Sequence, residues 1–210
     1  MRAFIAADGR TLPGALELPS RRRPPGVVLF AHPGGAGHLN PPNRHLAAIL
    51  RDAGVATLVF DLLTEEEAAE RDAAFDLRLL ALRLLRGTEW VESQPETTGL
   101  PVGYLGAATG AAAAVVAASQ AGHAVRAIVS RGGRPDLAAE FLPAFTTPLL
   151  CIVGEKDAVT LKRNRATLAC LRGATHLTVV PGASQNFEEP GGLIDVGSCA
   201  ARWFRQYFQP

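Results

Sequence analysis

This 210-residue sequence has no excess of either charge: 21 lysines and arginines meet 20 aspartates and glutamates, a formal net charge of +1. That balance leaves no electrostatic footprint for nucleic acid. The one basic run, Arg21-Arg22-Arg23, is followed by Pro24-Pro25-Gly26 and reads as a solvated loop ahead of a strand. Long hydrophobic runs are missing too. No stretch approaches the ~18 uninterrupted apolar residues of a membrane span, so no membrane partner is expected. The opening Met1 to Asp8 has too short an apolar run, met too soon by charge, for a secretory signal. Cysteine is scarce. Cys151, Cys170 and Cys199 are an odd set without metal-ligand spacing, which points to thiols in a reducing cytoplasm. No metal and no cofactor is called for.

What the chain has in quantity is apolar residue, 48% of it, enough for one well-packed domain and short for two. A single domain over 1–210 is the expectation. Asp8-Gly9 is a turn signal between extended runs 2–6 and 12–18, a short N-terminal hairpin. Val27 to Ala31 is a fully apolar run of buried-strand length. Asn43 to Ala53 reads as a helix ended by Gly54, and Ala56 to Phe60 as the next strand. Phe75 to Ser93 is predicted to be one long amphipathic helix. Val102 to Leu105 is a strand and Thr109 to Ala121 an alanine-rich helix. Further strands are predicted at Ala127 to Ser130, Leu149 to Val153 and Leu177 to Val180. Helices are predicted at Asp136 to Leu142, Leu161 to Leu171 and Leu193 to Phe208. Repeated strand–helix units imply an α/β fold, a mostly parallel central sheet with helices on both faces.

In such sheets chemistry collects in loops beyond the carboxyl ends of the strands. Residues 106–110, Gly-Ala-Ala-Thr-Gly, have both glycines of the Gly-x-Ser-x-Gly nucleophile elbow, with Ala108 where the serine should stand. An apolar run leads in and a helix-forming run leads out. The other distinctive loops are His32-Pro33-Gly34-Gly35, Asp61-Leu-Leu-Thr-Glu65, Arg131-Gly-Gly-Arg134, Gly154-Glu-Lys-Asp157 and Pro181-Gly-Ala-Ser-Gln-Asn-Phe-Glu-Glu-Pro190.

Taken together and in this order, these loops resemble the α/β-hydrolase superfamily, specifically its small dienelactone-hydrolase-like group, from about Leu16 to Phe208. The resemblance implies the α/β-hydrolase fold without a large lid domain. It also implies a Ser–Asp–His triad running in that chain order. Asp157 matches the acid, Ala108 matches the serine, and Gln185 falls where the closing loop should carry the base histidine. An alanine methyl cannot attack a carbonyl, and glutamine does not titrate near neutrality. Hydrolysis through an acyl-enzyme is therefore not expected. Thr109 would supply an oxyanion N–H. Because Pro33 has no N–H, the second donor would come from Gly34 or Gly35.

Asp157 and His32 are the candidate catalytic residues. Asp157 is either a general acid/base or a relic that caps the next helix, and His32 either acts in catalysis or braces its loop. Ala108, Gln185, Thr109, Gly34, Gly35, Arg131 and Asn186 are the candidate substrate-binding set. Arg131 and Arg134 suit a carboxylate or enolate, or else structural ion pairs. His38 and His45 are expected at the surface or the pocket rim. Glu65-Glu66-Glu67 is expected to be a solvated helix start. His176 imitates the family's base loop but precedes the last strand, so it belongs at the opposite end of the sheet.

Three functions follow. The first is an enzyme that reuses the pocket for cyclisation, isomerisation, elimination or carbon–carbon bond formation on a small organic substrate. The second is a non-catalytic protein that binds a ligand or partner. The third is an ester or lactone hydrolase inactivated by engineered substitutions. Oligomeric state is left open.

Overall fold

The computed structural model describes residues 1–20, 23–34, 37–70 and 72–209. Gly35 and the Arg21-Arg22 part of the basic run lie outside the described residues. The N-terminal hairpin forms as expected: β1 (Arg2–Ala7) and β2 (Arg10–Glu17) pair antiparallel around a two-residue turn. Asp8 (φ 44°) and Gly9 (φ 77°) are both left-handed, the geometry that matches the right-handed twist of paired strands.

The remaining strands are β3 (Val27–Ala31), β4 (Ala56–Phe60), β5 (Val102–Ala107), β6 (Val125–Arg131), β7 (Leu149–Gly154) and β8 (Thr175–Val180). Spatial order is β1-β2-β4-β3-β5-β6-β7-β8, antiparallel at the hairpin and at β2/β4, and parallel elsewhere. Strands β3, β4, β5 and β7 are buried along their whole length, which explains their predominantly apolar text.

Helices α1 (Pro41–Asp52) and α6 (Gly192–Tyr207) cover one face, around Phe30, Leu46, Leu50, Val196 and Phe204. On the other face, α3 (Leu77–Ser93) and α4 (Gly110–Ala121) pack around Leu29, Leu80, Leu84, Tyr104 and Val115. Two further helices are α2 (Glu65–Ala69) and α5 (Ala158–Ala169). No large lid domain is evident, and no helix among the described residues is long and apolar enough to cross a membrane.

Three local expectations are corrected. The helix predicted over 75–93 breaks at Asp76, whose carboxylate accepts from the amides of Arg78 (3.1 Å) and Leu79 (3.0 Å) and so starts α3 afresh. The helix predicted over 136–142 is instead two short 3-10 turns, Pro135–Ala138 and Leu142–Ala144. Proline opens the first and interrupts the second, which removes amides that a longer helix needs.

Third, Glu67 is not a solvated charge. Thr64 and Glu67 close a capping box on α2, and Glu67 Oε1 accepts from Arg83 Nη2 at 2.8 Å. Arg83 is fully buried and also donates to Asp8 Oδ2 (2.8 Å) and to the Leu62 carbonyl (2.8 Å). This network ties the hairpin turn to α2 and α3, and it holds the Glu67 carboxyl down at about 2, chiefly through its bond to Arg83.

The chain leaves β3 for β4 on one side and returns to β5 on the other. Ligand crevices of open parallel sheets form above the carboxyl ends of strands that diverge in this way. His32 and the elbow flank that point.

Candidate functional site

The elbow is built as the glycine spacing demands. Ala108 has φ 48°, a left-handed backbone that costs a non-glycine residue about 1–2 kcal/mol, and its side chain is exposed. A Cβ on Gly106 would lie 2.5 Å from the Ala111 Cα, and one on Gly110 would strike the Ala31 carbonyl oxygen. Only hydrogen at those two positions lets the strand turn into α4 this tightly. The Ala108 carbonyl accepts from the Arg134 amide at 2.9 Å, and Thr109 Oγ1 donates to the Ala74 carbonyl at 2.6 Å. Thr109 is the N-cap of α4, and its amide N–H donates to no acceptor among the described residues. That amide is therefore available to a ligand oxyanion.

His32 follows β3 and braces its own loop. The Gly34 N–H donates to His32 Nδ1 at 3.2 Å, which places the ring proton on Nε2. Of the two expected second oxyanion donors, Gly34 or Gly35, the Gly34 amide is thus engaged inside the loop, and Gly35 lies outside the described residues. Burial, then the nearby Arg131 guanidinium, push His32 below its ordinary value, while Asp61 opposes them. The ring is held neutral.

Arg131 ends β6, opposite Ala107 in register, and so stands beside the elbow. Its side chain is half-buried, and among the described residues no carboxylate or carbonyl accepts from it. Burial alone lowers its pKa. Arg134 behaves differently. It forms a two-pronged pair with Asp136, Nε–Oδ1 at 2.8 Å and Nη2–Oδ2 at 2.8 Å, and is structural.

Asp157 caps α5: its Oδ1 accepts from the Thr160 amide at 3.0 Å. Its Oδ2 is buried and has no hydrogen-bond partner among the described residues. The acid loop and the closing loop are stitched together. The Lys156 amide donates to the Ala183 carbonyl (3.0 Å), and the Gly182 amide donates to Glu155 Oε2 (2.7 Å). Glu189 accepts from the Ser184 amide at 2.9 Å, a contact that leads in holding its carboxyl at about 2.

Phe187, buried at φ 60°, anchors the closing loop in the core and leaves Gln185 and Asn186 exposed beside it. Asn186 Nδ2 donates to Glu188 Oε1 at 3.1 Å. The Gln185 carbonyl lies against Gly132, where an added Cβ would sit only 2.7 Å away. Elbow, β6 loop, acid loop and closing loop thus form one contiguous surface. His176, near the start of β8 and exposed, is at the opposite end. That opposite end also holds a groove of about 570 Å³ lined by Arg126, Glu140, Phe141, Pro148 and Tyr207, remote from the elbow.

One pair is invisible in the sequence. His38, expected at a rim, donates its backbone N–H to Asp61 Oδ1 (2.9 Å) while its ring Nδ1 bonds Asp61 Oδ2 at 2.8 Å. Asp61 is buried at the end of β4, and the His38 ring is half-buried. Asp61 does lie in a sequence loop singled out for its position, but nothing in that text ties it to a residue 23 positions earlier.

Comparison with known proteins agrees with this architecture. The profile of the "Dienelactone hydrolase family" matches residues 12–190. A crystal structure of dienelactone hydrolase from Anabaena variabilis ATCC 29413 is 42% identical, with a TM-score of 0.93, covering 100% of this chain and 98% of that one. Est1E from Butyrivibrio proteoclasticus shares the fold at 16% identity, TM-score 0.81, covering 98% of each chain. The chain is also 50% identical over 200 residues to "Putative phosphoribosyl transferase Rv0571c" of Mycobacterium tuberculosis H37Rv, covering 95% of this chain and 45% of that protein. It thus spans about half the length of the curated relatives it matches. By a family profile spanning most of its length and a near-complete structural counterpart, the chain belongs to the dienelactone hydrolase family.

Proposed function

We propose that this protein is an enzyme of the hydrolase fold that carries out non-hydrolytic acid–base chemistry on a small organic anion. The reaction class is isomerisation, elimination, cyclisation or carbon–carbon bond formation. The observation that carries this reading is Arg131, a half-buried guanidinium beside the elbow without a counter-ion among the described residues. A cation in that state favours an anionic ligand, and a planar carboxylate matches its fork of donors.

The rest of the site supports the same reading. The Thr109 amide, at the positive end of α4, suits an oxygen that gains charge during reaction. Ala108 and Gln185 stand where the family's serine and histidine belong, so an attacking hydroxyl and its activating base are missing from those positions. Phe75 is exposed, one residue after the carbonyl that tethers Thr109, and gives the site an apolar rim. Phosphoribosyl transfer, the activity in the name of the longer relatives, finds no particular support in these residues.

The test is turnover of unsaturated lactone carboxylates and keto acids in water enriched in ¹⁸O. Non-hydrolytic chemistry yields an isomeric or eliminated product without a newly incorporated ¹⁸O in an acyl group. A hydrolase places one there. Saturable binding of every compound with no product in any reaction would replace enzyme by binding protein.

A further inference from the structure

We infer that His38 and Asp61 form the proton-transfer dyad of this site, with His38 Nε2 as the general base. The inference rests on the non-hydrolytic reading above and names the group that does its chemistry. Asp61 grips His38 through both oxygens, one on the backbone amide and one on ring Nδ1. A carboxylate on Nδ1 fixes the proton there and leaves the lone pair on Nε2, the tautomer needed to abstract a proton. Among the described residues nothing occupies Nε2, and the half-buried ring keeps access to solvent. The same logic orients histidine in hydrolytic triads, but here both members come from the loops after β3 and β4, away from the closing loop that holds Gln185.

The dyad adjoins the site. A Cβ built on Gly37 would lie 3.5 Å from Asp61 Oδ1 and 3.6 Å from His32 Nδ1, so the carboxylate and the His32 ring flank one glycine. His32 in turn borders the elbow, since its amide would lie 3.3 Å from a Cβ on Gly110. Among the described residues, the charged or titratable groups that these contacts bring to His38 are Asp61, the neutral His32 ring and, beyond it, Arg131. His32 has its Nδ1 tied to Gly34 and is a poor base by comparison.

The substrate class follows. It is a small organic anion with an acidic C–H or O–H next to an atom that accumulates negative charge. His38 would take the proton, the bond's electron pair would move to the oxygen facing the Thr109 amide, and the imidazolium would return the proton elsewhere on the molecule.

A probe that needs a base and no nucleophile tests this: ring opening of 5-nitrobenzisoxazole by the intact protein. The base takes the C3 proton, the C–H electrons form the nitrile, and the N–O bond breaks to release a coloured phenolate. The wild-type rate per site should exceed that of free imidazole by at least about 10²-fold. It should fall when C3 carries deuterium, vanish in His38→Gln, drop at least about tenfold in the isosteric Asp61→Asn, and stay unchanged in His45→Gln, a change at an exposed position on α1.

A wild-type rate no greater than free imidazole, or a rate that survives His38→Gln, overturns the dyad. So does a reduced rate with no deuterium effect. The first measurement and the deuterium effect use only the wild-type chain, so a variant that does not fold leaves the dyad open to refutation. Failure here with Arg131-dependent anion binding and ¹⁸O-free turnover intact removes the dyad alone. Loss of those two removes the wider reading.

Discussion

Two arginines, Arg83 buried and Arg131 half-buried, should respond in opposite directions to the same substitution. Arg83 is satisfied by Asp8, Glu67 and the Leu62 carbonyl, so Arg83→Met strands two carboxylates and a carbonyl in a half-buried setting. Breaking a buried pair by removing one partner costs about 3–5 kcal/mol. At roughly 2–4 °C per kcal/mol for a domain of this size, the melting temperature should fall by about 6–20 °C.

Arg131 has no such partners among the described residues, and its partial burial disfavours the charge. Arg131→Met should therefore be neutral or stabilising, by about 1 kcal/mol and roughly 2–4 °C, since a hydrophobic side chain suits the site better than an unpaired charge. The same change should abolish anion binding. Fumarate or inorganic phosphate at ten times its dissociation constant stabilises a binding protein by about 1.4 kcal/mol, and the wild type should show this shift where Arg131→Met does not. Scanning calorimetry of the three proteins with and without each anion decides it. If Arg131→Met melts well below wild type, Arg131 holds the fold together and the anion-site argument fails.

Acid should release the stability that Glu67 provides. Its folded pKa of about 2 lies below its ordinary 4.5, so that contribution is complete above pH 4.5 and is lost as pH falls from there through 2. Denaturant titrations of Glu67→Gln should accordingly lose less stability than wild type across that window, and parallel curves would refute the assignment. Thiol chemistry should be selective. Burial pushes Cys151 up to about 12, so a disulfide reagent should label exposed Cys170 and half-buried Cys199 in the native state and reach Cys151 only on unfolding. Gly110→Ala should destabilise by more than about 3 kcal/mol in a urea titration, because the new methyl meets the Ala31 carbonyl in a site with no room to yield. A change under about 1 kcal/mol would show that the elbow relaxes.

Much of this molecule was written locally. Unbroken apolar runs such as Val27–Ala31 predicted fully buried strands because a parallel sheet covered on both faces strongly favours apolar side chains. The glycines at 106 and 110 predicted a turn too tight for a Cβ, and Ala108 takes the left-handed backbone that such a turn requires. His176 could be set aside from chain order alone, since a residue entering a strand lies at the other end from one leaving it.

What the sequence could not decide was which polar groups meet. Arg83 finds Asp8 across 75 residues, and His38 finds Asp61 across 23, and no periodicity or spacing encodes either pairing. The same holds for what stays unmet: among the described residues, Asp157 Oδ2, the Thr109 amide and the Arg131 guanidinium have no partner, a fact set by neighbours that fail to arrive. Local text sets backbone conformation and apolar faces through short-range sterics and burial. The state of a charge depends on the whole three-dimensional surroundings that the sheet order brings together, and that is why the chemistry of this site became readable only in the folded chain.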